Sequence, residues 1–283
     1  MAHFPIPEQL AKITFPLWDG PAPLSHGDAP DDIPTLTPFW PERTAAPAPV
    51  LIIFPGGGYM EHAFDQEIFR LIERFQKRGV AVFLLRYRLA CDGYRHPAQL
   101  LDARRAARLV RQRAAAWKLD PARLGVMGFS AGGHLASMLA THFDAGNPLA
   151  DDPVERCGCR PDAAILVYPV ISFVSGLTGP GGSMNLLEAN PEPAALADIS
   201  SEIAVSSQTP PTLLIHGEDD QTVPVAHSRI MFAALQKAGV ASEFHVYPVG
   251  KHGFGCFAHD PQPPGWLERV EEWLTRQGFM VRK

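Results

Sequence analysis

From Val50 onward the chain alternates short apolar runs with helical segments, and this order constrains the fold more than any other feature. Val50-Leu51-Ile52-Ile53-Phe54 is continuously apolar, as expected of a strand buried on both faces. Gln66 to Lys77 has the spacing of an amphipathic helix. Val80 to Arg86 reads as a second buried strand, and Ala98 to Trp117 as a long helix with arginines on its polar side. A strand at Arg123 to Gly128 and a helix at Ala131 to His142 follow. Further strands are expected at Ala163 to Tyr168, Thr212 to His216 and Ser242 to Tyr247. Helices are expected at Val225 to Ala238 and Trp266 to Gln277. Such alternation predicts an α/β fold, with a mostly parallel central sheet and helices on both faces.

The flanks read differently. Residues 1–49 are proline-rich and predict antiparallel edge strands at Lys12 to Leu17 and Thr35 to Trp40, where proline is tolerated. The irregular stretch from Pro169 to Pro211 predicts an insertion or cover, with short helices at Asn185–Ala189 and Pro193–Ala197. The 283 residues are read as a single domain. Their 46% hydrophobic content is enough for a sizeable core.

In an open parallel sheet, ligands bind at the carboxyl ends of the strands. The chemistry-bearing clusters of this chain fall at such ends. Gly128-Phe129-Ser130-Ala131-Gly132 fits G-x-S-x-G, a serine on a sharp turn between a strand and a helix. Three fixed positions recur by chance in roughly one chain of this length in ten, so the setting must carry the assignment. A serine hydroxyl needs a base, and the base needs an acceptor that fixes its tautomer. In sheet proteins with this turn, the acid and then the histidine follow the serine in the chain. His216-Gly-Glu218-Asp219-Asp220-Gln-Thr-Val-Pro224 supplies the acids, and Gly250-Lys-His252-Gly-Phe254 supplies the base. Asp220 is preferred to Asp219, with Glu218 third, and the other aspartate is assigned to the turn or the helix start. His216 and His134 are expected to be structural. Pro55-Gly56-Gly57-Gly58-Tyr59 follows the first buried strand, where backbone N–H groups could face an oxyanion beside that of Ala131. Tyr59 and Phe254 are the expected walls of a compact acyl site.

Other classes find less support. The net charge of −5 argues against nucleic acid or an anionic membrane as partner. No apolar run approaches the length of a membrane span. The first residues lack a basic start and an apolar signal core, so a cytoplasmic protein is expected. Cys91, Cys157, Cys159 and Cys256 lack zinc-site spacing, and thiols in a reducing compartment are expected. The phosphate-loop patterns G-x-x-x-x-G-K-[ST] and G-x-G-x-x-G are absent from the glycine loop.

With these residues in place, the chain resembles the α/β-hydrolase superfamily, and within it the small carbohydrate acetylesterases of the acetyl xylan esterase-like group. The resemblance rests on Pro55 to Tyr59, Gly125 to Ala136, Asp219 to Pro224 and Gly250 to Phe254. Pro16-Leu-Trp-Asp-Gly20 and Pro34-Thr-Leu-Thr37 are also similar to that group's entry segment. Pro55 departs from the histidine that many lipases and esterases carry there. The resemblance implies a Ser130, His252, Asp220 triad with neither metal nor cofactor. It also implies oxyanion donors at Gly57, Gly58 and Ala131, and a small acetylated carbohydrate as substrate. Prolyl-oligopeptidase-like peptidases and aryl formamidases share parts of the pattern. A non-catalytic binding module on the same fold is the rival from another class.

Overall fold

The structure is a computed structural model that describes residues 8–42, 47–178, 185–258 and 262–281. Among the described residues, eight strands form one sheet in the order β1-β2-β4-β3-β5-β6-β7-β8. They are β1 (Phe15–Pro16), β2 (Thr35–Phe39), β3 (Ala48–Phe54), β4 (Ala81–Arg86), β5 (Leu119–Phe129), β6 (Ala163–Val167), β7 (Thr212–Gly217) and β8 (Ser242–Tyr247). The pairings β1–β2 and β2–β4 are antiparallel, and all others are parallel. The proline-rich N-terminal segment therefore lies at one edge, where a missing N–H costs no central ladder bond.

Among the described residues the helices are α1 (Glu8–Ala11), α2 (Gln66–Lys77), α3 (Ala98–Trp117), α4 (Ala131–Thr141), α5 (Pro193–Asp198), α6 (Ala226–Lys237) and α7 (Trp266–Arg276). Side chains alternate across the central strands, as the pleat requires. Val50, Ile52 and Phe54 enter a core with Ala103, Leu135 and Met231, from α3, α4 and α6. Leu51 and Ile53 enter the opposite core with Ile68, Phe75 and Trp273, from α2 and α7. Each such buried side chain contributes about 1.5–3 kcal/mol relative to exposure. A continuous apolar run is thus the expected consequence of two covered faces.

Three details differ from the sequence reading, the first being that the edge strand expected at Lys12 to Leu17 is confined to Phe15–Pro16. Residues 185–189 form turns rather than a helix. Strand β5 starts at Leu119, earlier than its apolar run, because Ala48 pairs with Leu119 before an irregularity in the ladder.

The strand order places the site. β3 and β5 are neighbours, so the glycine loop and Ser130 leave the sheet side by side. β7 and β8 are neighbours too, which sets the Asp220 loop beside the His252 loop.

Candidate active site

Ser130 sits between β5 and α4 with φ 55° and ψ −118°. A non-glycine residue at positive φ is strained and needs support from its surroundings. Support comes from its own backbone: its N–H donates to the Val167 carbonyl at 3.0 Å, and its carbonyl accepts from His134 N–H at 3.0 Å. Close packing explains the flanking glycines. A β-carbon on Gly128 would overlap the Gly132 carbonyl, and one on Gly132 would overlap the Phe54 and Pro55 carbonyls.

The three residues expected to work together meet in one row. His252 Nε2 lies 2.8 Å from Ser130 Oγ, and His252 Nδ1 lies 2.7 Å from an Asp220 oxygen. Asp220 is buried, which penalises its charge. Hydrogen bonds from His216 and His252, and from the Val223 N–H, outweigh that penalty and hold its carboxyl well below the usual carboxylate range. An ionised carboxylate can only accept, so Nδ1–H donates to it. In the neutral ring, Nε2 is then left to accept the serine proton.

The neighbouring acids have other tasks. Asp219 accepts the Gly250 N–H at 2.8 Å and ties the two loops together. Glu218 pairs with Arg229 at the surface. The second Asp220 oxygen accepts the N–H groups of Thr222 and Val223, each at 2.9 Å. His216 is buried behind Asp220, with Nε2 2.8 Å from the Val223 carbonyl and 3.4 Å from Asp220. Both are acceptors, so Nε2 carries the proton and Nδ1 accepts from Ser228 Oγ at 2.8 Å. A histidine four residues before Asp220 is the sequence signal for this support, and the spacing alone does not specify the contact.

Gly56, Gly57, Gly58 and Ala131 share a cavity with Ser130 and His252. Gly57 (φ 115°) and Gly58 (φ 61°) adopt conformations that favour glycine. Ala131 is the first residue of α4, so its N–H has no partner within the helix.

Tyr59 and Phe254, expected as acyl-site walls, do not line this cavity. Tyr59 is buried, and its hydroxyl donates to His134 Nδ1 at 2.7 Å. His134 Nε2 in turn donates to the Ile199 carbonyl, also at 2.7 Å. This link fastens the glycine loop to α4, and Tyr87 adds a hydroxyl bond to the Pro55 carbonyl at 2.7 Å. These two tyrosines brace the glycine loop. Phe254 is fully buried between Tyr168 and Trp266. Its carbonyl accepts from Tyr168 Oη at 2.7 Å, and the Tyr168 ring lies 4.6 Å from that of His252. Both aromatic side chains are large and apolar enough for the core to claim them.

The actual cavity measures about 470 Å³, within the range of small-ligand sites. Its apolar walls include Ala63, Phe129, Val170, Leu177, Cys256 and Phe257, and its polar ones Thr178, Thr222 and His227. Nothing in the sequence pointed to Thr178 or His227, since neither belongs to a spaced motif.

Residues 36–235 match the family model BD-FAE. The chain belongs to the BD-FAE family. It is 35% identical over 240 residues to an acetylxylan esterase of Xylanibacter ruminicola, covering 83% of this chain. The chain spans about half the length of the curated relatives it matches, 47% in this case. Among solved structures it resembles the acetyl ester-xyloside bifunctional hydrolase of Caldicellulosiruptor lactoaceticus, with TM-score 0.83 and 40% identity over 94% of this chain and 97% of that one. The propionate-bound esterase 2 of Thermogutta terrifontis is similar at TM-score 0.75 and 26% identity, over 91% and 94% of the two chains. The fold of this BD-FAE member is that of the α/β-hydrolases.

Proposed function

We propose that this BD-FAE protein is a serine esterase that removes short acyl groups, acetyl above all, from carbohydrate esters. The observation that carries this reading is the unbroken row from Ser130 Oγ through His252 to Asp220, whose first two members line the cavity. Ser130 Oγ attacks the ester carbonyl while His252 Nε2 takes its proton. The carbonyl oxygen becomes an oxyanion, met by the N–H of Ala131 and those of the Gly57–Gly58 turn; each such donor is worth about 3–4 kcal/mol in the transition state. His252 then protonates the leaving sugar oxygen, and the C–O bond breaks to leave an acetyl-serine. A water gives its proton to His252 and attacks the acyl carbon. The proton returns to Ser130 as acetate departs.

The modest cavity and its apolar walls support a short acyl group. Similarity to an acetylxylan esterase and to an acetyl ester-xyloside hydrolase supports a carbohydrate as the alcohol. A reducing, cytoplasmic setting is part of the same proposal, supported by the free thiols of Cys91, Cys157 and Cys159.

The test compares acetyl, butyryl and longer 4-nitrophenyl esters, followed by acetate release from acetylated xylo-, manno- and pectic oligosaccharides. Wild type should prefer acetyl esters. Ser130→Ala should lose roughly 10⁴-fold or more in kcat. Undiminished activity in that variant would overturn the mechanism, and a preference for long chains would overturn the substrate class.

A further inference from the structure

His227 lies on α6, is buried, borders the cavity and takes no part in the proton path through His252. Its Nδ1 accepts two backbone N–H groups, from Ile171 at 3.1 Å and Ser172 at 3.2 Å. An atom that accepts two N–H groups carries no proton, so the hydrogen of the neutral ring sits on Nε2. The ring is kept neutral by its surroundings. Burial foremost, and then neighbouring His216, push its pKa down to about 4 against the opposing pull of Asp220.

The Nε2–H group faces Thr178 Oγ1 at 3.4 Å, too long for a strong bond. Thr178 Oγ1 spends its own hydrogen on the Ser172 carbonyl at 2.8 Å. Its lone pairs therefore remain as acceptors. One wall of the cavity thus carries a donor and an acceptor side by side, each oriented by a backbone bond behind it. A hydroxyl group is the complementary partner, because its oxygen can accept from Nε2–H while its hydrogen goes to Oγ1.

We propose that His227 and Thr178 form a subsite for a free hydroxyl on the alcohol portion of the substrate, next to the ester that Ser130 attacks. This rests on the carbohydrate-esterase reading above. The subsite would select partly acetylated sugars over simple alkyl or aryl esters and over fully acetylated sugars.

The experiment measures kcat/KM for three substrates: a mono-acetylated methyl xyloside with a free hydroxyl beside the ester, its deoxy analogue lacking that hydroxyl, and 4-nitrophenyl acetate. The variants are His227→Asn, whose amide oxygen can keep the Nδ1 role toward Ile171 and Ser172 but does not reach as far as Nε2, and Thr178→Val. A site built to bond a hydroxyl discriminates against its absence. With wild type, the deoxy sugar should therefore lose about tenfold or more. In either variant, the ratio of xyloside to 4-nitrophenyl acetate kcat/KM should fall by a similar factor, and the deoxy penalty should largely disappear. His227→Gln, which restores a distal donor, should recover part of the ratio. An undiminished wild-type rate on the deoxy sugar, or a deoxy penalty that survives in both variants, would overturn the subsite. Hydrolysis of 4-nitrophenyl acetate with no acetate release from any xyloside by wild type would instead overturn the carbohydrate reading, and the subsite with it.

Discussion

Exchange of Asp220 for asparagine keeps the side-chain shape and removes the charge that faces His252. The backbone N–H groups of Thr222 and Val223 both donate to one Asp220 oxygen. In Asp220→Asn that position must stay the carbonyl oxygen, which turns the amide NH₂ toward His252 Nδ1. Nδ1 would then have to accept, the ring proton would move to Nε2, and Ser130 would face a donor in place of a base. We expect a fall of about 10⁴-fold in kcat, the scale seen when a triad carboxylate is neutralised and the tautomer inverts. Asp219→Asn should cost only a few-fold, because an amide oxygen still accepts the Gly250 N–H. Steady-state kinetics of the two variants side by side would check the assignment, and comparable losses in both would refute it.

At the scale of elements, the site depends on close approach between backbones. The turn into α4 brings Gly132 against the carbonyls of Phe54 and Pro55, at the end of β3. Backbone cannot move aside as a flexible side chain can. Gly132→Ala should therefore lower stability by at least about 1–3 kcal/mol, the usual cost of overpacking, and should displace Ser130 from the glycine loop. The observable is a drop in urea midpoint together with a drop in kcat. A second junction is the ion pair of Arg88 and Asp102, where the chain leaving β4 meets α3. Both side chains are fully buried and 2.7 Å apart. Arg88 also donates to the Pro23 carbonyl at 2.6 Å, holding part of the N-terminal segment. Arg88→Met would leave Asp102 buried without its partner, at an expected cost of about 3–5 kcal/mol. Arg88→Met with Asp102→Leu should recover much of that loss in equilibrium unfolding.

At the scale of the whole molecule, two buried histidines shape the response to acid. Burial pushes the pKa of His134 down to about 3 and that of His227 down to about 4. Unfolded histidines titrate near 6.5. Between pH 6.5 and about 4 the unfolded chain therefore binds protons that the folded chain refuses. Stability should fall as pH drops through that window, by about 1.4 kcal/mol per pH unit for each histidine. At pH 5 the loss is on the order of 2 kcal/mol for each. Asp220 acts lower: its depressed folded pKa stabilises the protein above the ordinary carboxylate range, and that contribution is lost on further acidification. Urea unfolding at a series of pH values should show this slope, and His134→Gln should flatten it by one proton. An unchanged slope in His134→Gln would contradict the burial of its neutral ring.

Much of this architecture was legible in one dimension. Strands such as β3 announce themselves because both faces are covered, so every position must be apolar. The flanks of Ser130 announce themselves because the turn tolerates only glycine at Gly128 and Gly132. The order of Ser130, Asp220 and His252 was readable because each follows a strand of a parallel sheet and so emerges on the same side. Spacing favoured Asp220 over Asp219 but gave no physical reason, since the difference lies in which groups each one meets. Nor could it reveal that Tyr59 and Phe254 turn into the protein while His227 and Thr178 turn toward the cavity. The direction of a side chain depends on neighbours distant in the chain, and those neighbours are assembled only by tertiary packing.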